Sequence, residues 1–206
     1  MIYGIVLAAG ESKRMGRPKQ LLPFGDQTLI ETVVENVLQS QIQKTVVVLG
    51  ANKDEIAKKL DKYPVSMIFN PRFKQGMLSS IQRGFEAIAK EASAVLIILG
   101  DQPTIPAWVI DSIIHTYQNT GKGIVVPVFQ MRRGHPVLFD CKYRDEVAAL
   151  DAAVGLRALV HGHPDDVEEV AVESPAILKD IDYPEDYVKE LQNQKNSKTR
   201  LEKEDS

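Results

Sequence analysis

Cysteine is all but absent: Cys141 is the only one in 206 residues, which excludes an internal disulfide. No Cys/His cluster has the spacing of a zinc site, so a structural metal is excluded as well, and Cys141 is expected to be inert. Long apolar runs are missing too. None approaches the roughly 18 residues of a membrane span. The apolar stretch Met1 to Gly10 lacks a basic leading segment and flows straight into Glu11, so it reads as a first strand and not as a signal peptide. Together these absences point to the reducing cytoplasm. Neither charge sign is in excess: 25 Lys plus Arg face 28 Asp plus Glu, a net charge of −3. That balance gives no general attraction for nucleic acid or anionic lipid, and any anion binding must be local.

What remains is ordinary for a globular protein, with 44% hydrophobic and 26% charged residues. Short apolar runs bounded by turn residues recur at Ile2–Leu7, Thr45–Leu49, Val65–Phe69, Ala94–Leu99, Gly123–Val128, Pro136–Phe139 and Val167–Val172, and read as strands. Between them Thr28–Leu38, Lys53–Leu60, Leu78–Lys90 and Ala107–Tyr117 have helical period. This alternation predicts an α/β fold of three layers, a mostly parallel central sheet with helices on both faces. Residues 1–190 are expected as one domain. Residues 191–206, almost devoid of apolar side chains, are expected as a disordered polar tail.

Ligands of such sheets gather at the carboxyl ends of the strands, so residues that follow strands carry the chemical interest. The first strand runs out through Leu7 into Ala8-Ala9-Gly10-Glu11-Ser12-Lys13-Arg14-Met15-Gly16-Arg17-Pro18-Lys19. Ala8, Ala9 and Gly10 let a ligand approach backbone N–H groups, Gly10 and Gly16 permit unusual dihedrals, and Arg14 and Lys19 supply charge against a polyphosphate. The loop has neither the spacing of the common ATPase phosphate loop nor the dinucleotide Gly-x-Gly-x-x-Gly. Taken by itself it reads first as a basic surface turn after a buried strand.

Four further segments leave similar pairs of readings open. Asp101, in Gly100-Asp101-Gln102-Pro103, is either a magnesium ligand or a helix cap. Asp182, in Asp180-Ile181-Asp182-Tyr183-Pro184-Glu185-Asp186, either caps the helix opening at Pro184 or reaches the same metal. Glu185 and Asp186 suit the first helical turn. Gly76 and Ser79-Ser80 stand at a helix entrance, where the hydroxyls either cap the helix or meet a ribose or base. Arg132-Arg133-Gly134-His135-Pro136 joins guanidinium groups, which match phosphate geometry, to an imidazole that is either structural or substrate-positioning. His115, His161 and His163 are expected at the surface.

Together the loop from Leu7 to Lys19, Gly76-Met77-Leu78-Ser79-Ser80, Gly100-Asp101-Gln102-Pro103, Arg133 to Phe139 and Asp180 to Tyr187 resemble the molybdenum cofactor cytidylyltransferases, within the MobA-like nucleotidyltransferases. The resemblance covers about residues 2–190. It implies that Leu7, Ala8, Ala9, Gly10, Arg14 and Lys19 hold a nucleoside triphosphate, with Gly76 and Ser80 beside its base and ribose. It implies that Asp101 and Asp182 bind Mg2+, and that Arg133, Gly134, His135 and Pro136 face a pterin acceptor. Arg14, Lys19 and Asp101 are then the catalytic residues. Ala8-Ala9-Gly10 and Pro18-Lys19 resemble the cytidylyl members, which favours CTP over GTP. One departure is Leu150-Asp151-Ala152-Ala153-Val154-Gly155-Leu156-Arg157, where the family often has a glycine before the aspartate.

The implied reaction joins CMP from CTP to the terminal phosphate of molybdopterin or molybdenum cofactor and releases pyrophosphate, serving a molybdenum hydroxylase. Transient contact with that molybdoenzyme or its chaperone follows from such a role, and neither nucleic acid nor membrane is a partner. Guanylyl transfer, transfer to a sugar or alcohol phosphate, and a non-catalytic molybdenum cofactor carrier are the alternatives.

Overall fold

The computed structural model describes residues 1–151 and 154–204, with side chains through 194. Its strands are β1 Ile2–Ala8, β2 Pro23–Phe24, β3 Gln27–Thr28, β4 Lys44–Leu49, β5 Ser66–Phe69, β6 Ala94–Leu99, β7 Ile124–Phe129, β8 Arg132–Arg133, β9 Val137–Asp140 and β10 Val167–Ala171. The helices are α1 Leu29–Leu38, α2 Lys53–Leu60, α3 Met77–Ala87, α4 Ala107–Thr120, α5 Arg144–Ala149, α6 Arg157–Gly162 and α7 Pro184–Glu204. The strand order is β10-β7-β9-β6-β1-β4-β5, with β8 added to β7, and β2 and β3 form a separate hairpin.

β1, β4, β5 and β6 are mutually parallel, and β10 is parallel to β7. β9 runs antiparallel between β6 and β7. Every residue of β6 is buried, because helices cover both faces of the sheet. Strand alternation sorts the side chains accordingly. Val6, Val47, Leu96 and Ile98 join residues of α1, α2 and α4 in one core, whereas Ile5, Val46, Val48, Val95 and Ile97 join residues of α3, α5 and α6 in the other. This is the three-layer α/β arrangement expected. Among the described residues no helix is long and apolar enough to cross a membrane.

From β1 the chain steps outward to β4 and β5, then returns to β6 on the other flank of β1. The crevice above β1 and β6 is therefore a topological switch point, where loops leaving adjacent parallel strands diverge. The loop after β1 and the Gly100-Asp101 turn after β6 both open there. A third apolar cluster fastens this region: Met15, Leu22, Phe24 and Leu29 pack with Ile181, Tyr187 and Leu191, so the first loop and the entry to α7 are held together.

The segment expected as a polar tail instead continues α7 to Glu204; Asp205 and Ser206 lie outside the described residues. Lys, Glu, Gln, Arg and Leu are good helix formers, and a helix already anchored by Tyr187 and Leu191 extends through them at little cost.

Candidate active site

Beyond β1 the chain makes two short 3-10 turns, Lys13–Met15 and Lys19–Leu21. Ser12 (φ 54°) and Gly16 (φ 64°) bracket the first of them in the left-handed region. Gly10 does not share that conformation. A Cβ there would meet only the Gln20 amide nitrogen, at 3.8 Å, an ordinary contact, so neither the dihedrals nor the protein's own packing require glycine at this position. The Ser12 hydroxyl accepts a hydrogen bond from the Lys19 N–H (3.1 Å) and donates to Gln20 Oε1 (3.2 Å), closing the loop on itself. The Lys19 side chain is thereby directed across to the end of β6.

There its ammonium donates to Asp101 Oδ2 at 2.5 Å and to Asp182 Oδ1 at 2.8 Å. Asp182 Oδ2 accepts from the Arg14 guanidinium at 2.9 Å, and Arg14 also lies over the Tyr183 ring, 5.4 Å from its centroid. The four charged residues singled out in the sequence thus meet in one cluster. Lys19 and Asp101 are mostly buried, their side chains 11% and 19% exposed, and Asp182 is 38% exposed. Neither carboxylate is a helix cap. Asp186 accepts from the N–H groups of Asp182 and Tyr183 instead, and Pro106 occupies the N-cap of α4.

Burial lowers the Lys19 pKa, but the two carboxylates outweigh it and hold the ammonium above its ordinary range. Burial pushes the Asp101 carboxyl up, Lys19 pulls it back, and the nearby charges of Asp180 and Asp182 add to the rise. The Lys19 hydrogen bond, with Arg14 assisting, holds Asp182 below the usual carboxylate range. Three carboxylates, Asp101, Asp180 and Asp182, therefore face two cations. Asp101 Oδ1 is buried without a hydrogen-bond partner, as is Gln102 Oε1. A buried carboxylate oxygen lacking a partner, beside a second carboxylate, suits a hard divalent ion that takes one or two protein oxygens and completes its shell with water and phosphate. Among the described residues no group of three or more His, Cys, Asp or Glu is placed to hold a metal by itself.

A cleft opens next to the cluster. Of the nucleotide-binding candidates, Leu7, Ala9, Gly10, Lys19, Gly76 and Ser80 line it, together with Asp101. Ala8 does not, because alternation along β1 turns it into the core with α1. Arg14 stands at the rim, paired with Asp182. Gly76 takes φ 98°, a conformation that disfavours any side chain, and is the N-cap of α3. Ser79 and Ser80 follow it inside the helix and cap nothing. Ser79 donates to the Gly76 and Arg72 carbonyls, while buried Asn70 donates to both serine hydroxyls at 3.0 Å. The sequence reading missed Gln20, Phe73, Met77 and Leu99 as lining residues. Phe73 and Met77 adjoin Gly76 and were legible as its neighbours, whereas nothing in the sequence marks Gln20.

The acceptor candidates are placed differently. Arg133 is tied to Glu169 at 2.6 Å across the β8 edge. Gly134 lies against the backbone of Ile177, whose carbonyl accepts from the His135 N–H at 3.0 Å. The His135–Pro136 peptide is cis. Burial lowers the His135 pKa; the opposed charges of Asp101 and Arg157 also reach it. His135 is thus the member of this segment that feels the acidic cluster, and Arg157, at the start of α6, joins it. Ala152 and Ala153, within the departure from the family pattern, lie outside the described residues. Asp180 points to Gln102, which donates to it at 2.6 Å.

Residues 4–167 match the MobA-like NTP transferase domain. The chain belongs to the MobA-like NTP transferase family. Among curated proteins it is 29% identical to the nicotine blue oxidoreductase of Paenarthrobacter nicotinovorans, over 88% of this chain and 92% of that protein. It is 28% identical to the molybdenum cofactor cytidylyltransferase of Escherichia coli strain K12, over 89% of this chain and 92% of that one. Among solved structures, Rv0371c of Mycobacterium tuberculosis H37Rv superposes with a TM-score of 0.84 at 28% identity, covering 93% of this chain and 97% of that chain. Its complex with manganese gives 0.78 at 27% identity, with the same coverages. The family fold accounts for the position of the cluster, at the switch point of a nucleotidyltransferase sheet.

Proposed function

We propose that this protein is a magnesium-dependent cytidylyltransferase that joins CMP from CTP to the terminal phosphate of molybdopterin or molybdenum cofactor. The observation that carries the reading is the Lys19 ammonium held between Asp101 and Asp182 at the mouth of the cleft. The E. coli relative of that name supports the substrates. In this reading Leu7, Ala9, Gly10, Gly76 and Ser80 receive the nucleoside, and Arg14 and Lys19 bind the triphosphate oxygens. Asp101 and Asp182 would hold Mg2+, which supplies Lewis-acid neutralisation of charge on the phosphates.

The acceptor's phosphate oxygen forms a bond to the α-phosphorus, the bond from that phosphorus to the bridging oxygen breaks, and pyrophosphate leaves. A phosphate monoester with a second pKa of about 6 is already largely dianionic near neutrality, so no residue need act as its base. The obstacle is bringing two polyanions into line. Lys19 and Arg14 offset their repulsion and fix the orientation of the triphosphate. His135, its pKa lowered by burial and its ring within reach of the Asp101 charge, suits the positioning of the pterin side.

The Paenarthrobacter relative raises a second reading, oxidoreduction of nicotine blue. The oxidoreductase reading gives no role to the Lys19 ammonium clasped by Asp101 and Asp182, which favours the transferase. Purified protein supplied with Mg2+, molybdopterin and either CTP or GTP is expected to release pyrophosphate with CTP. Release with GTP alone would reassign the nucleotide. No release with either, together with bleaching of nicotine blue by the protein and an added reductant, would overturn the proposal.

A further inference from the structure

Asp182 has no free carboxylate oxygen. Oδ1 accepts from Lys19 at 2.8 Å and Oδ2 from Arg14 at 2.9 Å. Asp101 keeps one oxygen free, Oδ1, buried and without a partner, while its Oδ2 accepts from the same Lys19 ammonium at 2.5 Å. A divalent ion arriving alone thus finds only one oxygen of the Asp101–Asp182 pair that no cation already holds. To gain a second carboxylate it must dislodge a cation from Asp182, and a displaced lysine left unpaired beside a divalent ion is opposed by both Coulomb repulsion and desolvation. A polyphosphate changes this, because it offers Lys19 and Arg14 new partners of the same charge sign as those they give up.

We infer that Lys19 and Arg14 form a cationic latch on Asp182 that denies the second carboxylate to a metal ion until a polyphosphate draws them away. The inference rests on the assignment of Asp101 and Asp182 to the metal made above. It makes metal and triphosphate binding mutually reinforcing, since each relieves a charge imbalance the other would create. Lys19 is the principal bolt, because it bridges both carboxylates. Arg14, more exposed and bound to Asp182 alone, is the lesser one.

Mn2+ binding without nucleotide, followed by the loss of free-ion paramagnetic resonance signal, tests the latch. Lys19→Met is expected to bind Mn2+ at least about tenfold more tightly than the wild type, which corresponds to about 1.4 kcal/mol, and Arg14→Gln by a smaller factor. Adding Asp101→Asn to either variant should abolish the gain. Should Lys19→Met fail to fold, Arg14→Gln alone still decides, because Arg14 is exposed and bonded only to Asp182, and its loss should tighten Mn2+ binding measurably over the wild type. Variants that bind no tighter than wild type while Asp101→Asn still removes binding would overturn the latch and leave the metal assignment standing. Mn2+ binding indifferent to Asp101→Asn would overturn both.

Discussion

A methyl group added at Gly134 would lie 2.3 Å from the carbonyl oxygen of Ile177, closer than any real contact. The glycine that sequence reasoning offered to an acceptor is thus required by the backbone next to it. That neighbouring stretch leads through Asp180 to Asp182, so displacement there carries into the charged cluster. Gly134→Ala is expected to cost about 1–3 kcal/mol in denaturant titrations, the usual penalty of overpacking. Asp101 presents the opposite case, a residue whose value is chemical. Asp101→Asn keeps the shape and leaves Lys19 its bond to Asp182, so the fold should survive, with turnover reduced on the order of 10²-fold or more in a pyrophosphate assay. Wild-type turnover in this variant would remove Asp101 from the catalytic set.

At the scale of elements, what could be read depended on which force shaped each one. β6 and α2 lie where expected, at Ala94–Leu99 and Lys53–Leu60, because their apolar period is strong and their ends are marked by turn residues. Direction leaves no such trace: the apolar run at Pro136–Phe139 does not reveal that β9 is antiparallel between two strands of the other sense. The β7–β8 hairpin was equally hidden. Its two-residue turn places Gln130 at φ 48° and Met131 at φ 63°, where Asn-Gly would have signalled it. Site residues follow the same rule. Lys19 and Asp101 were legible because charge follows strands, but their meeting depends on the crossover, and Gln20 carries no signal at all. Replacing Gln130-Met131 by Asn-Gly should relieve both dihedrals and stabilise the protein by about 0.5–1 kcal/mol in urea unfolding, without altering turnover.

Two contacts bear on the molecule as a whole. Asp166 joins the end of the chain's second half to the start of β7: burial raises its pKa, but Lys142, the Tyr143 hydroxyl and the Gly123 N–H overcome that and bring it to about 2 from 3.8. A carboxyl lowered on folding stabilises the native state above its unfolded value and loses that contribution as pH falls through its folded value. The stability gap between wild type and Asp166→Asn should therefore be constant above pH 3.8 and shrink towards pH 2 in urea titrations across that range. The second contact is Tyr187, buried in the cluster that joins Met15, Leu22 and Phe24 to Ile181, with its hydroxyl donating to the Pro23 carbonyl at 2.5 Å. It does not line the cleft, yet the first loop and the Asp182 segment meet through it. Tyr187→Phe removes one hydrogen bond and should cost about 1 kcal/mol with little change in turnover. Tyr187→Ala also opens a cavity, at about 3 kcal/mol. Because Arg14 and Lys19 reach Asp182 across that junction, the alanine variant should show a raised KM for nucleotide at temperatures where it remains folded. A KM equal to that of the phenylalanine variant would mean that the two loops hold their positions without it.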